Sequence, residues 1–487
     1  MTRKPKRLEY RVRKVSRKWD RRSGKFTYDI SFEAGFRETE RTTSVLEAFG
    51  YAARDGRTWV YERFEFKMSP TDVVYITGDS GSGKSVLLRA IESDLGDLSM
   101  NVDKVPVVWD EPIVDTVGET FEEALHLLSM VGLNDASLFL RTYRELSDGQ
   151  KYRYRLAKLI ESGRQYWIAD EFCATLDRDT AKVVAYNFQK AARRMGRGVI
   201  VATTHTDLLD DLGPNVWIRK GWGCEVEVEY LSGEAPKTCT VSRGVRVEPG
   251  GVGDYETLSV FHYRSRSTPF APKVFRMVKD GRVIGVIVYS PPTSMAFGRS
   301  RAIPGYRVTG EWLRWLTRNV ARISRVIVHP KYRSIGLGVR LVRETLPLVG
   351  KPYVEAIAVM ARYNPFFEKA GMERVAERRP HPALIEVVEQ LRDMGLLSAM
   401  LRSDEALMGK LREGGPKLVG EVRRLLLERV PEFYHKAISG RKPLRKFVET
   451  MDGLVRALRR VQQLTNTTVY LFWRNPKLRP EPIPRGG

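Results

Sequence analysis

The segment Gly78-Asp79-Ser80-Gly81-Ser82-Gly83-Lys84-Ser85 fits the pattern G-x-x-x-x-G-K-[ST]. Such a turn works only between a strand and a helix. Its glycines let backbone N–H groups wrap an anion, and the helix N-terminus behind it adds a positive end. The flanks supply both parts: Val73-Val74-Tyr75-Ile76 reads as a short buried strand and Val86 to Leu95 as a helix. Apolar strands recur at Tyr166-Trp167-Ile168-Ala169 and Gly198-Val199-Ile200-Val201-Ala202, with helical stretches at Thr120 to Val131 and Tyr152 to Glu161. Strands alternating with helices predict an α/β fold with a mostly parallel sheet. In this turn Lys84 should reach the β- and γ-phosphates of a nucleotide, and the Ser85 hydroxyl should hold Mg²⁺.

A second glycine turn, Arg333-Ser334-Ile335-Gly336-Leu337-Gly338, follows a predicted strand, Ser324 to Val328, and His329-Pro330-Lys331-Tyr332. A helix from Val339 to Leu346 follows it. The turn fits the pyrophosphate cradle of acetyl-coenzyme A enzymes, with the helix N-terminus facing the anion. A chain carrying both turns is expected to use ATP and to move an acetyl group.

The chain has 487 residues, so two or three domains are expected, and a 42% apolar share suffices for real cores. Lys plus Arg number 82 against 59 for Asp plus Glu, a formal charge of +23. That excess favours a polyanion, most often nucleic acid; a solvated basic surface is the plainer alternative. Residues 1–26 concentrate it, with twelve Lys or Arg, only Glu9 and Asp20 as acids, and Tyr10 and Trp19 interleaved. Leu8 to Arg13 alternates like a strand, leaving phosphate contact and a charge-guarded edge strand equally open. Cys173, Cys224 and Cys239 have no C-x-x-C spacing, so neither zinc nor a disulfide framework is expected, and a reducing cytoplasm fits. No window of about 18 apolar residues exists, so no membrane span is expected.

Three further motifs surround the first turn. Leu146-Ser147-Asp148-Gly149-Gln150 precedes a helix, Asp170-Glu171 ends the second strand and is followed by Ala174-Thr175-Leu176-Asp177, and His205 follows the third strand. With these, residues 45 to 220 resemble the ATP-binding cassette (ABC) superfamily. The resemblance implies a Walker A turn (Gly78, Asp79, Ser80, Gly81, Ser82, Gly83, Lys84, Ser85), Mg²⁺ on Ser85 and Asp170, Glu171 as the base for water, and His205 as the switch. It also implies head-to-tail pairs in which Ser147 and Gly149 complete another subunit's ATP site, hence a homodimer, with Asp177 in the D-loop. Tyr51 stands where such proteins stack an aromatic on adenine, with Phe49 the rival. The family usually carries a Gln about 25 to 35 residues after Walker A, but none lies between Lys84 and Gln150. Asp110 or Glu111 is the candidate replacement, with Asp110 as a further Mg²⁺ ligand.

The second turn belongs to a wider run. Val274 to Val278, the turn Lys279-Asp280-Gly281, and Val283 to Tyr289 read as a hairpin. Tyr353 to Val359 reads as a strand before Asn364-Pro365-Phe366-Phe367-Glu368-Lys369-Ala370-Gly371-Met372. This resembles a GNAT N-acetyltransferase over 254 to 379. The resemblance implies acetyl-CoA held by Ile327, Val328, Arg333, Ser334, Ile335, Gly336, Leu337, Gly338 and Asn364 between two splayed strands. Glu355 is the candidate base and His329 a weaker one. The family's usual Tyr acid is Phe367 here, so Tyr363 is the substitute. Phe261-His262-Tyr263-Arg264 is a candidate cleft lining.

The expected division is 1–44, a basic segment; 45–222, the ABC ATPase; 223–253, a β-rich connector; 254–379, the GNAT domain; and 380–487, a basic, mainly helical region with a late strand from Thr468 to Trp473. The order resembles archaeal-type ABC ATPases fused to GNAT domains. The expected function is ATP-coupled, acetyl-CoA-dependent N-acetylation of RNA, tRNA or rRNA ahead of DNA, or of a nucleoprotein. The alternatives are a nucleic-acid- or ribosome-binding ATPase with a non-catalytic GNAT platform, and a protein N-acetyltransferase. Tyr470, Phe472, Trp473 and Arg474 are candidate base-stacking residues, or simply a packed strand.

Overall fold

The computed structural model describes residues 11–33, 39–50, 57–261, 273–305 and 310–484. Tyr51, His262, Tyr263, Arg264 and residues 1–10 lie outside them.

The basic N-terminal stretch is not a separate segment. Arg11–Asp20 and Lys25–Glu33 form an antiparallel hairpin, and Lys25–Glu33 pairs again with Arg57–Lys67. The inner face of this three-stranded sheet carries Phe26, Tyr28, Ile30, Phe64 and Phe66. These share one buried core with Val74, Ile76, Leu87, Ile91 and Ile200 of the nucleotide-binding region. Arg17 and the Tyr28 hydroxyl both engage Asp94, at 3.3 and 2.9 Å, tying the hairpin to the helix behind the first glycine turn. The expected boundary at 44/45 therefore does not hold, because the hairpin's aromatics supply a wall of the first core.

The adjoining sheet runs in the order Ser99–Asn101, Tyr166–Ala169, Gly198–Thr203, Val73–Gly78, Val216–Lys220, Val226–Tyr230. Its first five strands are parallel and the last is antiparallel. Successive residues of the central strand feed opposite layers. Val73 and Tyr75 pack with the helices Phe121–Met130, Asp148–Glu161 and Arg178–Met195, while Val74 and Ile76 pack with the helix Lys84–Leu95. A strand covered on both faces must be apolar throughout, which is why no alternation was visible there. The β-rich connector is split between domains. Val226–Tyr230 closes this sheet, whereas Arg246–Gly250 pairs with Lys273–Lys279 of the next.

The second sheet runs Arg246–Gly250, Lys273–Lys279, Arg282–Ser290, Val320–Val328, Tyr353–Ala358, Thr468–Arg474, Glu373–Arg378. The late strand is thus slotted between two strands that precede it by about a hundred residues. Tyr470 and Phe472 are buried in it, so they are core residues and not stacking platforms. The intervening helices bury their own core of Leu384, Leu391, Leu407, Val422, Leu426, Leu454, Leu458 and Val461. Residues 380–487 are therefore not one terminal region: a helical bundle is inserted into the acetyltransferase sheet, and the chain then returns to finish that sheet. The hairpin geometry is plain at the insertion point, where Arg378 pairs directly with Thr468.

That pairing yields a test. Replacing residues 380–466 by a two-residue Asn-Gly turn should leave both sheets folded and cooperatively melting, because the turn suits directly paired antiparallel residues. Deleting everything after Leu464 should abolish cooperative unfolding of the second sheet. Circular dichroism melts of the two variants distinguish these outcomes, and a folded truncation would refute the strand assignment.

Candidate active sites

In the first turn Gly78, Gly81 and Gly83 take φ of 152°, 79° and 110°, a region that favours glycine. A Cβ on Gly83 would meet Val60 at 2.4 Å, and one on Gly78 the Lys220 carbonyl at 2.1 Å. Lys84 is folded over the turn, its ammonium donating to the carbonyls of Gly78 and Asp79 at 2.7 and 2.6 Å. Burial lowers its pKa, against the opposing pull of Asp170, Asp79 and Glu171. The strand-end carboxylates therefore face the same space as the ammonium. The Ser82 hydroxyl is buried without a hydrogen-bond partner, as expected of a group that awaits a phosphate oxygen. These residues fit MgATP.

Glu171 has φ of 46° and Cys173 of 59°, two non-glycine residues in the left-handed region within one turn. Such geometry costs of order 1–3 kcal/mol each and is held by its surroundings. Here the Glu171 amide donates to Asp170 at 3.0 Å, that of Phe172 to the Ala202 carbonyl at 2.8 Å, and that of Cys173 to the Tyr152 hydroxyl at 3.1 Å. The result is an exposed carboxylate whose charge acts on Lys84. His205 sits at the end of its strand, its carbonyl accepting from the Tyr75 hydroxyl. Ser147 is exposed at the N-terminus of Asp148–Glu161, and a Cβ on Gly149 would lie 3.1 Å from Leu176. Asp110 is a correction. Its carboxylate is exposed and paired with Arg144 at 2.7 Å, and no contact with Ser85 or Asp170 accompanies it. The guanidinium supplies the counter-charge that Mg²⁺ was expected to supply.

The second turn begins at the end of Val320–Val328. Parallel pairing with Tyr353–Ala358 covers only Val320 to Ile323, and a bulge at Ser324 sets Val288 opposite Arg325 and Tyr289 opposite Ile323. A bulge bends a strand and ends its pairing, so the two strands part beyond Ser324. Ser334 has φ of 68° and Gly336 of 88°, and a Cβ on Gly336 would meet nothing within 4 Å. The amides of Ser334, Ile335 and Gly336 have no hydrogen-bond partner among the described residues. Unpaired amides, an open glycine and a helix N-terminus at Leu337–Thr345, beside the place where the two strands stop pairing, fit a pyrophosphate. Ile327 and Val328 are buried core residues, and Asn364 is exposed at the far rim.

Residues 246–372 match the Acetyltransferase (GNAT) family. The N-terminal part matches the cytochrome c biogenesis ATP-binding export protein CcmA of Chelativorans sp. at 30% identity, over 34% of this chain and 92% of that protein. CcmA of Aliivibrio fischeri matches at 29%, over 34% of this chain and 95% of that protein. The chain belongs to the ABC ATPases and carries a fused GNAT domain. It is an ATP hydrolase and an N-acetyltransferase in one polypeptide. Among solved structures, a dimeric ATP-binding cassette bound to ADP and Pi covers 38% of this chain and 96% of its own, at 19% identity and a TM-score of 0.32.

Within the GNAT domain the surroundings bear on several expected roles. Glu355 is fully buried, clasped by Arg299 Nε and Nη2 at 2.9 and 2.7 Å and by the Tyr470 hydroxyl at 2.8 Å. A carboxylate whose oxygens are so occupied is a structural anion and not a base poised to take a proton. Tyr363 stacks edge-on against Phe121 of the cassette at 5.4 Å, with Arg362 over its ring. Its ring lies in the seam between the two domains. Arg333 is half-buried and donates to the carbonyls of Val328 and Asn134 at 2.7 and 2.8 Å, so its guanidinium holds the turn from behind instead of meeting pyrophosphate. His329 accepts from the Lys331 amide at 3.3 Å and packs on Phe261. Burial, with Arg333 and Lys331 nearby, pushes its pKa down. It shapes the turn as a neutral ring. Arg299 and Lys331 were missed. Neither sits in a motif, and only the fold brings each to its carboxylates.

The Glu355 pair gives a clear expectation. Glu355→Ala strands a buried guanidinium and should cost about 3–5 kcal/mol of stability. Differential scanning calorimetry reads this as a lowered Tm of the GNAT transition. An unchanged Tm with lost acetyl transfer would return Glu355 to the catalytic role.

Proposed function

We propose that this protein is an ATP-driven N-acetyltransferase acting on an amine carried by RNA, tRNA or rRNA ahead of DNA, and that it works as a cytoplasmic homodimer. The observation that carries the RNA reading is a hollow of about 580 Å³ in the helical insert, lined by His435, Lys436, Arg441, Lys442 and Arg445 among others, with no carboxylate in its wall. Those four Lys and Arg have no ion pair among the described residues, although elsewhere in the insert Arg459 pairs with Asp404, Lys410 with Glu413 and Arg456 with Asp452. Clustered unpaired cations repel one another until a polyanion neutralises them, and a phosphate backbone is the commonest one. The whole-chain charge of +23 agrees.

In this reading Gly78 to Ser85 hold the ATP phosphates, Ser85 and Asp170 hold Mg²⁺, and Glu171 takes the proton of the attacking water with His205 at the γ-phosphate side. Tyr51, or its rival Phe49, which is 81% exposed, would stack on adenine. Ser147 and Gly149, presented at a helix N-terminus, complete the ATP site of the second copy. In the GNAT domain the amides of Ser334 to Gly338 hold the acetyl-CoA pyrophosphate, and the wedge beyond Ser324 admits the thioester to the acceptor amine. The amine's nitrogen attacks the carbonyl carbon, the C–S bond breaks, and the amine proton leaves with solvent or thiolate.

Two experiments follow. Incubation with labelled acetyl-CoA and a mixture of total RNA and total protein should place label in RNA; label confined to protein refutes the RNA reading. Glu171→Gln should slow hydrolysis by two orders of magnitude or more, as loss of a positioned base does, and should accumulate dimer on MgATP in sedimentation runs. A variant that stays monomeric with saturating MgATP rules out the shared site.

A further inference from the structure

The turn assigned to acetyl-CoA is built into the cassette. Lys331, just before it, bridges two cassette carboxylates, Asp177 at 2.5 Å and Asp179 at 3.3 Å. The Tyr332 hydroxyl donates to Asp179 at 3.2 Å. Arg333 reaches the Asn134 carbonyl, and the Ser334 hydroxyl donates to the Ser129 carbonyl at 2.8 Å. Tyr332 and Ile335 pack their side chains on Val183, Tyr186, Cys239 and Val241. Four consecutive residues of the GNAT domain, 331 to 334, are thus hydrogen-bonded or ion-paired to the cassette, and the next packs on it.

The cassette side of this joint lies between the segments that meet nucleotide. Asp177 ends the turn that begins at Asp170-Glu171, through the amide of Ala174 on Glu171 and that of Leu176 on Cys173. Leu176 also abuts Gly149. On the other flank Arg178 is ion-paired with Asp207, two residues beyond His205. A shift of either the Glu171 turn or the His205 segment therefore displaces Asp177 to Asp179. Lys331 stands three residues before Ser334, and its charge is spent on two carboxylates.

We propose that Lys331 and Asp179 are positioning residues through which the nucleotide state of the cassette sets the affinity of the Ser334–Gly338 turn for acetyl-CoA. The inference rests on the assignment of the two turns to ATP and acetyl-CoA. MgATP draws the Asp177 end toward the nucleotide, relieves the negative charge around Lys331 and leaves that ammonium to the pyrophosphate. ATP then tightens acetyl-CoA binding, and acetyl-CoA tightens ATP binding by the same factor, since coupling between two bound ligands is reciprocal.

The test is calorimetric. In full-length Glu171→Gln protein, the acetyl-CoA Kd should fall about 5-fold or more when MgATP is present, the low end of ordinary coupling. Adding Lys331→Ala or Asp179→Asn should bring that ratio toward unity while ATP is still bound. Lys331→Arg, which keeps a cation at that position, should preserve it, whereas the neutral Lys331→Met, which keeps the length of the side chain but not its charge, should lose it. A ratio of unity in the parent overturns the inference, as does a ratio that neither single variant alters. If the parent binds no acetyl-CoA at all, the assignment of the turn falls too, which separates that failure from a failure of coupling.

Discussion

One helix, Arg178–Met195, belongs to two cores, and the arrangement of both domains depends on it. Ala181, Val184, Ala185 and Phe188 face the cassette interior, while Val183 and Tyr186 on the opposite side receive Tyr332 and Ile335. Its first turn holds the charges of the joint: Asp177 caps the helix through Thr180, Arg178 is fixed by Asp207, and Asp179 meets the GNAT domain. Burial acts to raise the pKa of Asp177, but Lys331 and Thr180 outweigh it and hold the carboxyl below its usual range. Lys331 is raised in turn, burial notwithstanding, by Asp177 and Asp179. The pair is therefore charged throughout the neutral range, and the joint is electrostatic at its rim and apolar at its centre.

The phosphate turns were legible because their function dictates their residues. A backbone that closes on an anion needs glycine at positive φ, and Gly78, Gly83 and Gly336 have it. Strand–turn–helix context was readable from short apolar runs, and the observed elements fall within a few residues of the expected ones. Domain limits were not legible in the same way. The basic N-terminal residues looked like a charged arm because the cations crowd the first strand, while the buried Phe26 and Tyr28 sit on the next one, between Lys25, Thr27 and Asp29. The connector could not be divided, because a strand's sheet is chosen by its partner and not by its own composition.

The acetyl-transfer residues illustrate a different limit. Glu355 had the right residue type on the right strand, yet its chemistry is set by Arg299, 56 positions earlier, and Tyr470, 115 positions later. No local pattern announces either partner. The same holds for Arg333, whose place in the motif is real but whose guanidinium turns away from the cleft toward Asn134. Motif membership fixed the backbone at these positions. The surroundings decided what the side chain does.

The insertion of the helical bundle inside the acetyltransferase sheet has a consequence for the newborn chain. Thr468–Arg474 must enter between Tyr353–Ala358 and Glu373–Arg378, strands made long before it. At roughly 5–20 residues per second of synthesis, those two strands wait several seconds with a gap between them, and the Arg299–Glu355 pair waits with one wall missing. The bundle, whose core is its own, can fold in that interval and bring Thr468, the start of the gap-filling strand, to the place where Arg378 stands. A domain that reads as finished by residue 372 thus stays open until Thr468–Arg474 has been made.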